Sequence, residues 1–213
     1  FFYGNAPDGQ YGWYLKIGTP EGTQPGPNTV TLLNLISGKS YFEVGSIIDN
    51  MPEIPKVVKD LVGYTGKDQQ SKLVKPAQAN RAYNPEGSNQ GLILGASIQV
   101  SDWEKEYQFL MFFAKFNAYA GFDLSINPDV SCDNVDAAGG PGGWYARGQA
   151  YFGARAAVGI NVDMLLVSGK FTIFEAGAAA IVTAGLPNPN FVKGVFGAYY
   201  NILNGMIEGD FHF

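Results

Sequence analysis

The chain offers few side chains that could catalyse a reaction. His212 is the single histidine and Cys132 the single cysteine among the 213 residues. Nucleophilic catalysis needs a base positioned beside a Ser or Cys, and no G-x-S-x-G motif accompanies His212. A zinc site lacks sufficient His and Cys ligands. We therefore expect His212 to be structural, the chain to contain no catalytic residue, and the protein not to be an enzyme.

Three acids, Asp102, Glu104 and Glu106, alternate just ahead of a predicted strand. A pair of carboxylates is what glycoside hydrolysis uses, and the twelve Tyr and three Trp residues of the chain could stack on sugars. Acids in this position also act as solvated charge that discourages strands from pairing edge to edge. We expect the solvated role, and a carbohydrate-binding or carbohydrate-active module stays open as an alternative.

Oxygen-bearing side chains crowd one Gly-rich stretch of the sequence. Asp129, Asp133 and Asp136, together with Asn127 and Asn134, carry the hard ligands that Ca²⁺ takes. Their order differs from that of an EF-hand, and the same residue types form ordinary turns. The three aspartates are the weak calcium candidates of this sequence, and no other cofactor is expected.

The composition argues against several classes of partner. Charged residues make up 15 % of the chain, against about 25 % in an average domain, and the net charge is −5. Nucleic-acid binding needs clustered Lys and Arg, so it is not expected. The sequence has neither an apolar run of about 18 residues, which would predict a transmembrane helix, nor a basic cluster that would attract anionic lipid. A membrane is therefore not an expected partner either.

The first part of the chain predicts a β-hairpin region followed by a helix. Residues 1–45 contain two apolar runs that flank Ser37–Lys39, which predicts a tight hairpin there. Within 46–63 the period changes, which predicts one short amphipathic helix near 50–63. The polar, turn-rich residues 64–90 are expected to form a loop. The helical spacing is carried by Ile54, Val57, Val58, Leu61 and Val62.

Residues 91–213 predict long antiparallel strands. Alternation of apolar and polar residues runs through 109–126 and 144–163, far beyond the usual strand of about 5–6 residues. The predicted long strands are 104–126, 144–163, 165–186 and 191–213. The predicted fold class is mainly β, a long-stranded antiparallel meander that forms a tube, a sandwich or a shaft. Since the sequence starts without a Met or signal peptide and stops inside a strand-like pattern, residues 1–213 read as one β-rich segment of a longer chain.

The segment 143–163 has two clearly different faces. One face is apolar and rich in alanine, and it carries Phe152, Ala154, Ala156 and Val158. The other carries Arg147 and Arg155, which we expect to face solvent or a polar lumen. Small side chains let a second layer approach closely, whereas a lipid-facing surface favours bulkier aliphatic residues. The alanine face is therefore predicted to be buried inside the protein.

The last seventy residues or so carry short pieces that resemble a known group of proteins. The pieces are Pro187-Asn188-Pro189, Lys193-Gly194, Gly197, Tyr199, Leu203-Asn204-Gly205 and Gly209-x-Phe211. With these pieces the chain resembles giant, β-rich secreted surface and filament proteins of gliding bacteria, which are exported by type 9 secretion. The resemblance implies an extracellular structural or adhesive role at the bacterial cell surface, and it transfers no catalytic residue.

These observations favour a structural module of a large extracellular filament, appendage or adhesin. Such a module acts by self-assembly and attachment, so the expected partners are further copies in a homo-oligomer and the neighbouring domains of the same long chain. An exposed edge of a long sheet is a template for such association. A wall segment of an outer-membrane β-barrel is the other alternative that stays open, beside the carbohydrate module.

Overall fold

A computed structural model of the chain describes residues 2–5, 11–46, 48–63, 91–128, 144–164, 167–186 and 190–213. Over these ranges the protein is an antiparallel sheet of eleven strands with a single short helix. The mainly β fold class is therefore confirmed. The elements are β1 (Phe2–Asn5), β2 (Tyr11–Ile17), β3 (Asn28–Leu32), β4 (Ile36–Gly45), α1 (Lys56–Gly63), β5 (Gly91–Val100), β6 (Tyr107–Phe109), β7 (Phe112–Pro128), β8 (Trp144–Met164), β9 (Val167–Leu186), β10 (Phe191–Ile202) and β11 (Ile207–His212).

The sheet is a meander in which most spatial neighbours are also neighbours in sequence. Its strand order is β1-β2-β4-β5-β7-β8-β9-β10-β11, while β3 pairs with β4 and β6 pairs with β7. The pairing between β7 and β8 runs from Phe112↔Ile160 to Pro128↔Trp144. With 17 residues in β7, 21 in β8 and 20 in β9, the central strands have the length that the alternation predicts.

Three predicted element boundaries are wrong, and each error falls at a turn that begins with leucine. The first hairpin turns at residues 33–35, so Ser37–Lys39 lies inside β4. The predicted strand 104–126 is broken by a two-residue turn after Phe109. The predicted strand 191–213 is broken at residues 203–206. None of the three breaks has Pro, and only the last contains Gly, so their apolar residues were read as strand.

The helix α1 is shorter than predicted. The structure has no helix over 48–55, and the helix begins after Pro55, whose carbonyl accepts the N–H groups of Val58 (3.0 Å) and Lys59 (3.1 Å). Proline suits the start of a helix and interrupts one elsewhere, so Pro52 and Pro55 keep the preceding segment extended. The predicted loop 64–90 lies outside the described residues.

The helix packs on one face of the sheet, against β8, β9 and β10. Its buried residues Val58, Leu61 and Val62 lie against a core that includes Tyr119, Tyr151 and Tyr199. The helix approaches closely because small residues are in register beneath it: Gly153 pairs with Ala179, and Ala179 pairs with Gly197. A Cβ on Gly197 would lie 3.0 Å from the Cα of Val62. We call the face under the helix the covered face and the opposite one the open face.

The prediction of which face is buried is wrong, because the alanine face is the open one. Phe152 is 48 % exposed and Val158 is also exposed, whereas the adjacent Tyr151 is 8 % exposed and Ala157 is buried. Period-two alternation separates two faces but does not say which of them receives a covering layer. The apolar stripe of α1 docks on the face of tyrosines and glycines, and Arg155 lies on that covered face.

Charge is confined to the covered face. In β2 to β11, every charged residue whose side chain the structure describes projects to that face, as the strand register shows. From β4 to β10 the open-face positions carry Ala, Val, Ile, Leu, Phe and Gly, with Ser40 and Tyr200 among the few exceptions. The charged residues are Lys16, Lys39, Glu43, Lys115, Asp123, Arg147, Arg155, Lys170, Glu175, Lys193, Glu208 and Asp210.

Glycines on the covered face make room for the buried tyrosine rings. A Cβ on Gly121 would lie 2.6 Å from the ring of Tyr151, and one on Gly177 would lie 2.5 Å from the ring of Tyr199. The Tyr151 ring is also stacked on Tyr119, with ring centroids 5.9 Å apart, so it has little freedom to move. These glycines are therefore required by packing on the covered face.

Replacing Gly121 with alanine should destabilise the fold by about 1–3 kcal/mol, because the new methyl group overlaps a fixed ring. Gly148→Ala on the adjacent strand is the matched control, since its Cβ would meet no atom closer than 3.7 Å. The control should be neutral or stabilising by up to about 1 kcal/mol, through reduced freedom of the unfolded chain. Chemical denaturation of the two variants measures both, and equal effects would contradict this account of the tyrosine packing.

Candidate functional site

The most completely hydrogen-bonded group on the covered face is centred on Asp123, which is 3 % exposed. The hydroxyl of Tyr41 donates to its Oδ1 (2.8 Å), and Nε2 of Gln149 donates to its Oδ2 (2.8 Å). Tyr151 also bonds this carboxyl group. Nε2 of Gln149 in addition lies 2.9 Å from the carbonyl oxygen of Pro52. The cluster thus joins β4, β7 and β8 to the segment that leads into α1.

Burial sets the protonation behaviour of this cluster. Desolvation raises the pKa of Asp123, although the hydrogen bonds from Gln149, Tyr41 and Tyr151 oppose that rise. Burial also raises the pKa of Tyr41 and that of Tyr151, and the neighbouring Asp123 carboxylate adds to both shifts. The two tyrosines are therefore firmly protonated and act as donors to the carboxylate.

A small cavity adjoins the cluster. It has a volume of about 30 Å³ and its lining includes Tyr41, Tyr119, Tyr151 and Ser97. The hydroxyl of Tyr119 donates to Oγ of Ser97 at 3.1 Å. A space of this size holds one or two water molecules and is too small for a sugar ring. The cavity therefore suits internal water that bridges the polar groups around it.

A second buried acid, Glu43, has no exposed surface. Its Oε2 accepts the backbone N–H of Asp49 (2.8 Å) and is 3.1 Å from Nζ of Lys16, which also donates to Asp49 at 3.0 Å. Burial raises the pKa of Glu43 despite the Asp49 amide and Lys16. Burial alone would lower the pKa of Lys16, but its hydrogen bonds to Asp49 and Glu43 prevail, so that pKa is raised. This group ties residues 48–49 to β2 and β4.

Residues 101–106 fold over the covered face near one end of the sheet. The ring of Trp103 lies 4.1 Å from the guanidinium carbon of Arg155, a cation–π contact. Glu106 bridges Lys170 (2.7 Å) and Lys115 (3.9 Å). The covered face therefore has two covering segments: α1 with the residues before it, and this stretch near one end of the sheet.

The acids singled out in the sequence do not converge on a catalytic arrangement. Glu106 is held by Lys170 and Gln108, whose hydrogen bonds lower its pKa. Oδ1 of Asp102 accepts the backbone N–H of Glu104 at 3.3 Å. His212 lies in β11, where it pairs with Gly197. The expectation that these residues are structural stays a prediction.

The calcium candidates Asp129, Asp133 and Asp136 lie outside the described residues, as does Cys132. In the part of the chain that the structure describes, no group of three or more His, Cys, Asp or Glu side chains is placed to hold a metal ion.

Sequence reasoning missed Glu43 and Asp123 as central residues. Each is an isolated acid inside an otherwise apolar or small-residue strand, in YFEVG and in GFDLS. A lone charge in such a strand is rarely buried unless it is paired. That is the signal that could have identified both residues, but their partners come from distant strands and could not be named.

Comparison with known proteins gives no relative. No protein-family model matches the chain, and neither a curated protein nor a solved structure is significantly similar to it. Among the described residues, no helix has both the length and the apolar character needed to cross a membrane.

Tyr41→Phe tests the importance of the hydrogen bond to Asp123. The change removes a donor to a buried charged acceptor, so we expect a loss of about 1.5–3 kcal/mol in the free energy of unfolding at neutral pH. Tyr107→Phe is the matched control, because its hydroxyl contacts the neutral Oγ of Ser101 at 3.2 Å and the residue is 37 % exposed. Denaturant titration should give Tyr41→Phe a clearly lower free energy of unfolding than the control. The reverse order would contradict the role assigned to the Tyr41 hydrogen bond.

The raised pKa of Asp123 predicts a pH dependence of stability. Between the ordinary value of 3.8 and the raised value, the folded state binds more protons than the unfolded state. Stability contributed by this group therefore falls as the pH rises through that interval. Asp123→Asn should flatten this part of the profile relative to wild type, measured by unfolding between about pH 4 and pH 8. Glu43→Gln should act in the same direction, and an unchanged profile in both variants would refute the assignment.

Proposed function

We propose that this chain forms part of the wall of an outer-membrane β-barrel. In this arrangement the open face contacts the hydrocarbon of the bilayer, and the covered face, with α1, lines the interior. The observation that supports it most is the separation of charge, because the described open-face positions of β4 to β10 carry no charged side chain. Outer-membrane barrels alternate apolar residues toward lipid with polar residues toward the lumen.

The length of the apolar band fits a bilayer when strand tilt is included. On β7 the open-face residues run from Phe112 to Ile126, which is about 46 Å along the strand. A tilt of about 35–45° reduces this to about 33–38 Å along the membrane normal, close to the hydrocarbon thickness of about 30 Å. The length of the strands is therefore compatible with a tilted membrane-spanning sheet.

Two tryptophans lie at the same level near one edge of the open face. Leu15, Val44, Leu92, Ile126 and Ala146 are paired across five strands in one row. Trp13 and Trp144 each lie two residues beyond that row, on the same side of it. Aromatic residues gather at the interfaces of membrane proteins, where an apolar ring with a polar N–H is well placed.

This proposal departs from the expectation that a membrane is not a partner. That expectation rests on the lack of a long apolar run and of a basic cluster, while the alanine face is separately predicted to lie in the protein interior. The structure leaves that face exposed. Alanine on a lipid-facing surface carries no polar group and no penalty for burying charge. The outer surface of a bacterium, which the sequence resemblance implies, remains the proposed location.

A second candidate is the self-assembling structural module of a filament or adhesin. One observation favours it: Ala118, Ala154, Ala178 and Ala198 pair directly across four strands. A flat row of methyl groups permits close approach by the sheet of a second copy. In this case the open face would be covered by protein and the assembly would be stable in water without lipid.

A lysine at the centre of the open face tests whether that face contacts lipid. Ala154→Lys should weaken insertion of the chain into lipid vesicles by about 2–4 kcal/mol, the cost of Lys at the bilayer midplane. Asn190→Lys is the control, because this exposed residue lies at the end of the sheet before β10. Co-flotation with vesicles measures both variants.

The native chain then separates the two candidates. A membrane wall requires detergent or lipid to stay dispersed, and it floats with vesicles. If the chain instead forms defined oligomers in lipid-free buffer and does not bind vesicles, this result would support the filament module and overturn the membrane proposal.

A further inference from the structure

Three hairpin turns lie at the same end of the sheet. They are residues 33–35 between β3 and β4, 110–111 between β6 and β7, and 203–206 between β10 and β11. The backbone joins two of them to the long strands, through Asn161 N–H to Met111 O (2.7 Å) and Leu203 N–H to Ile173 O (2.8 Å). Nζ of Lys105 donates to the carbonyl of Asn34 in the third. We call these three turns the tips.

Each tip holds a leucine in a backbone conformation that disfavours it. The φ angles of Leu33, Leu110 and Leu203 are 53°, 54° and 54°. The left-handed region costs a residue with a branched side chain about 1–2 kcal/mol, and tight turns of this kind normally use Asn, Asp or Gly. Asn34 and Asn204, next to two of these leucines, show the usual choice.

At Leu33 and Leu110, packing inside the protein does not compensate for this cost, because these residues are 85 % and 84 % exposed. Leu203 is 39 % exposed and packs in part against the protein, while Met111 and Met206 in the same turns are exposed. A strained backbone that presents an exposed apolar side chain suggests a role outside the fold itself.

The tips are continuous with the uncharged open face. The residue pairs that close the three turns are Leu32↔Ile36, Phe109↔Phe112 and Ile202↔Ile207. None of the residues between the members of these pairs is charged. Apolar surface therefore extends from the centre of the open face to the extremity of each hairpin.

We propose that Leu33, Leu110 and Leu203 are membrane anchors, which insert into lipid at this end of the sheet. The inference rests on the proposed membrane wall and names the edge by which it is held. Lipid is the occupant because the tips continue the surface that faces hydrocarbon. The closing pair Leu32↔Ile36 lies in the row that contains Ala118 and Ala198, whereas the closing pairs Phe109↔Phe112 and Ile202↔Ile207 lie about 20 and 13 Å beyond that row. Separate projections at three heights do not form the contiguous surface of about 800 Å² that a protein partner buries, whereas lipid surrounds each of them.

The first test places an environment-sensitive NBD fluorophore on single cysteines at positions 33, 110 and 203, in a Cys132→Ser background of the full 213-residue chain. Position 154 reports on the centre of the open face, and position 190 reports on the opposite end of the sheet. In vesicles containing lipids with brominated acyl chains, labels at 33, 110, 203 and 154 should be quenched at least severalfold more than the label at 190.

The outcomes separate this inference from the proposed function. Quenching at 154 without quenching at the tips would overturn the anchors and leave the membrane wall standing. Absence of quenching at 154 would overturn both.

The second test replaces the three leucines together with asparagine, which tolerates left-handed φ. The triple variant should be as stable as wild type or more stable toward denaturant, yet urea should wash it from vesicles severalfold more readily. Lys56→Asn is the control, since this exposed residue lies at the start of α1, over the covered face and away from the proposed lipid surface. Wild-type retention of the triple variant, or equal loss of the control, would show that the leucines do not anchor the chain.

Discussion

The restriction of charge to a single face of the sheet is the constraint on which the rest of this structure depends. A period-two strand presents alternate side chains to opposite sides, so a charged residue in the wrong register would move from one face to the other. Long pairings such as that between β8 and β9 preserve the separation over many residues. The irregularity at Val158/Gly159 shifts this pairing by one residue, which places Lys170 on the same face as Glu175. Both the buried polar network and the bare apolar surface follow from this separation.

A charged face can be buried only when each charge has a partner. Asp123 receives donors from Tyr41, Tyr151 and Gln149, and Glu43 receives Lys16 and the amide of Asp49. These bonds supply what water would otherwise supply, so the apolar stripe of α1 can pack on the same face that holds the buried charges. The covering segment is short, and it docks where small residues in three adjacent strands let α1 approach the sheet.

The sequence predicts some levels of this structure and fails at others for identifiable reasons. Alternation is a local property, so the long strands of β7, β8 and β9 could be read directly. The choice of covered face depends on where a distant helix docks, and this information is not contained in the strands. The breaks at Leu33, Leu110 and Leu203 were missed because leucine is a poor residue for left-handed turns. The partners of Asp123 lie in β4 and β8, and only the assembled register brings them together.

The bare open face imposes a requirement on whatever surrounds it. The six strands from β4 to β10 along the sheet path span roughly 29 Å by 26 Å over their shared rows, an apolar area of about 750 Å². This exceeds the largest apolar patch of about 300–600 Å² on a typical monomer, which is the reason both proposals place lipid or protein against this face.

Lipid adds a second requirement, because the unpaired backbone groups of an edge strand cannot face hydrocarbon. In the described sheet β1 and β11 are the two ends of the strand order. A membrane wall therefore needs further strands on both sides of this sheet, from the same polypeptide or from another copy. In the proposed membrane wall, pairing of β1 and β11 with strands of another copy would make the two candidate functions, insertion and self-assembly, compatible in one particle.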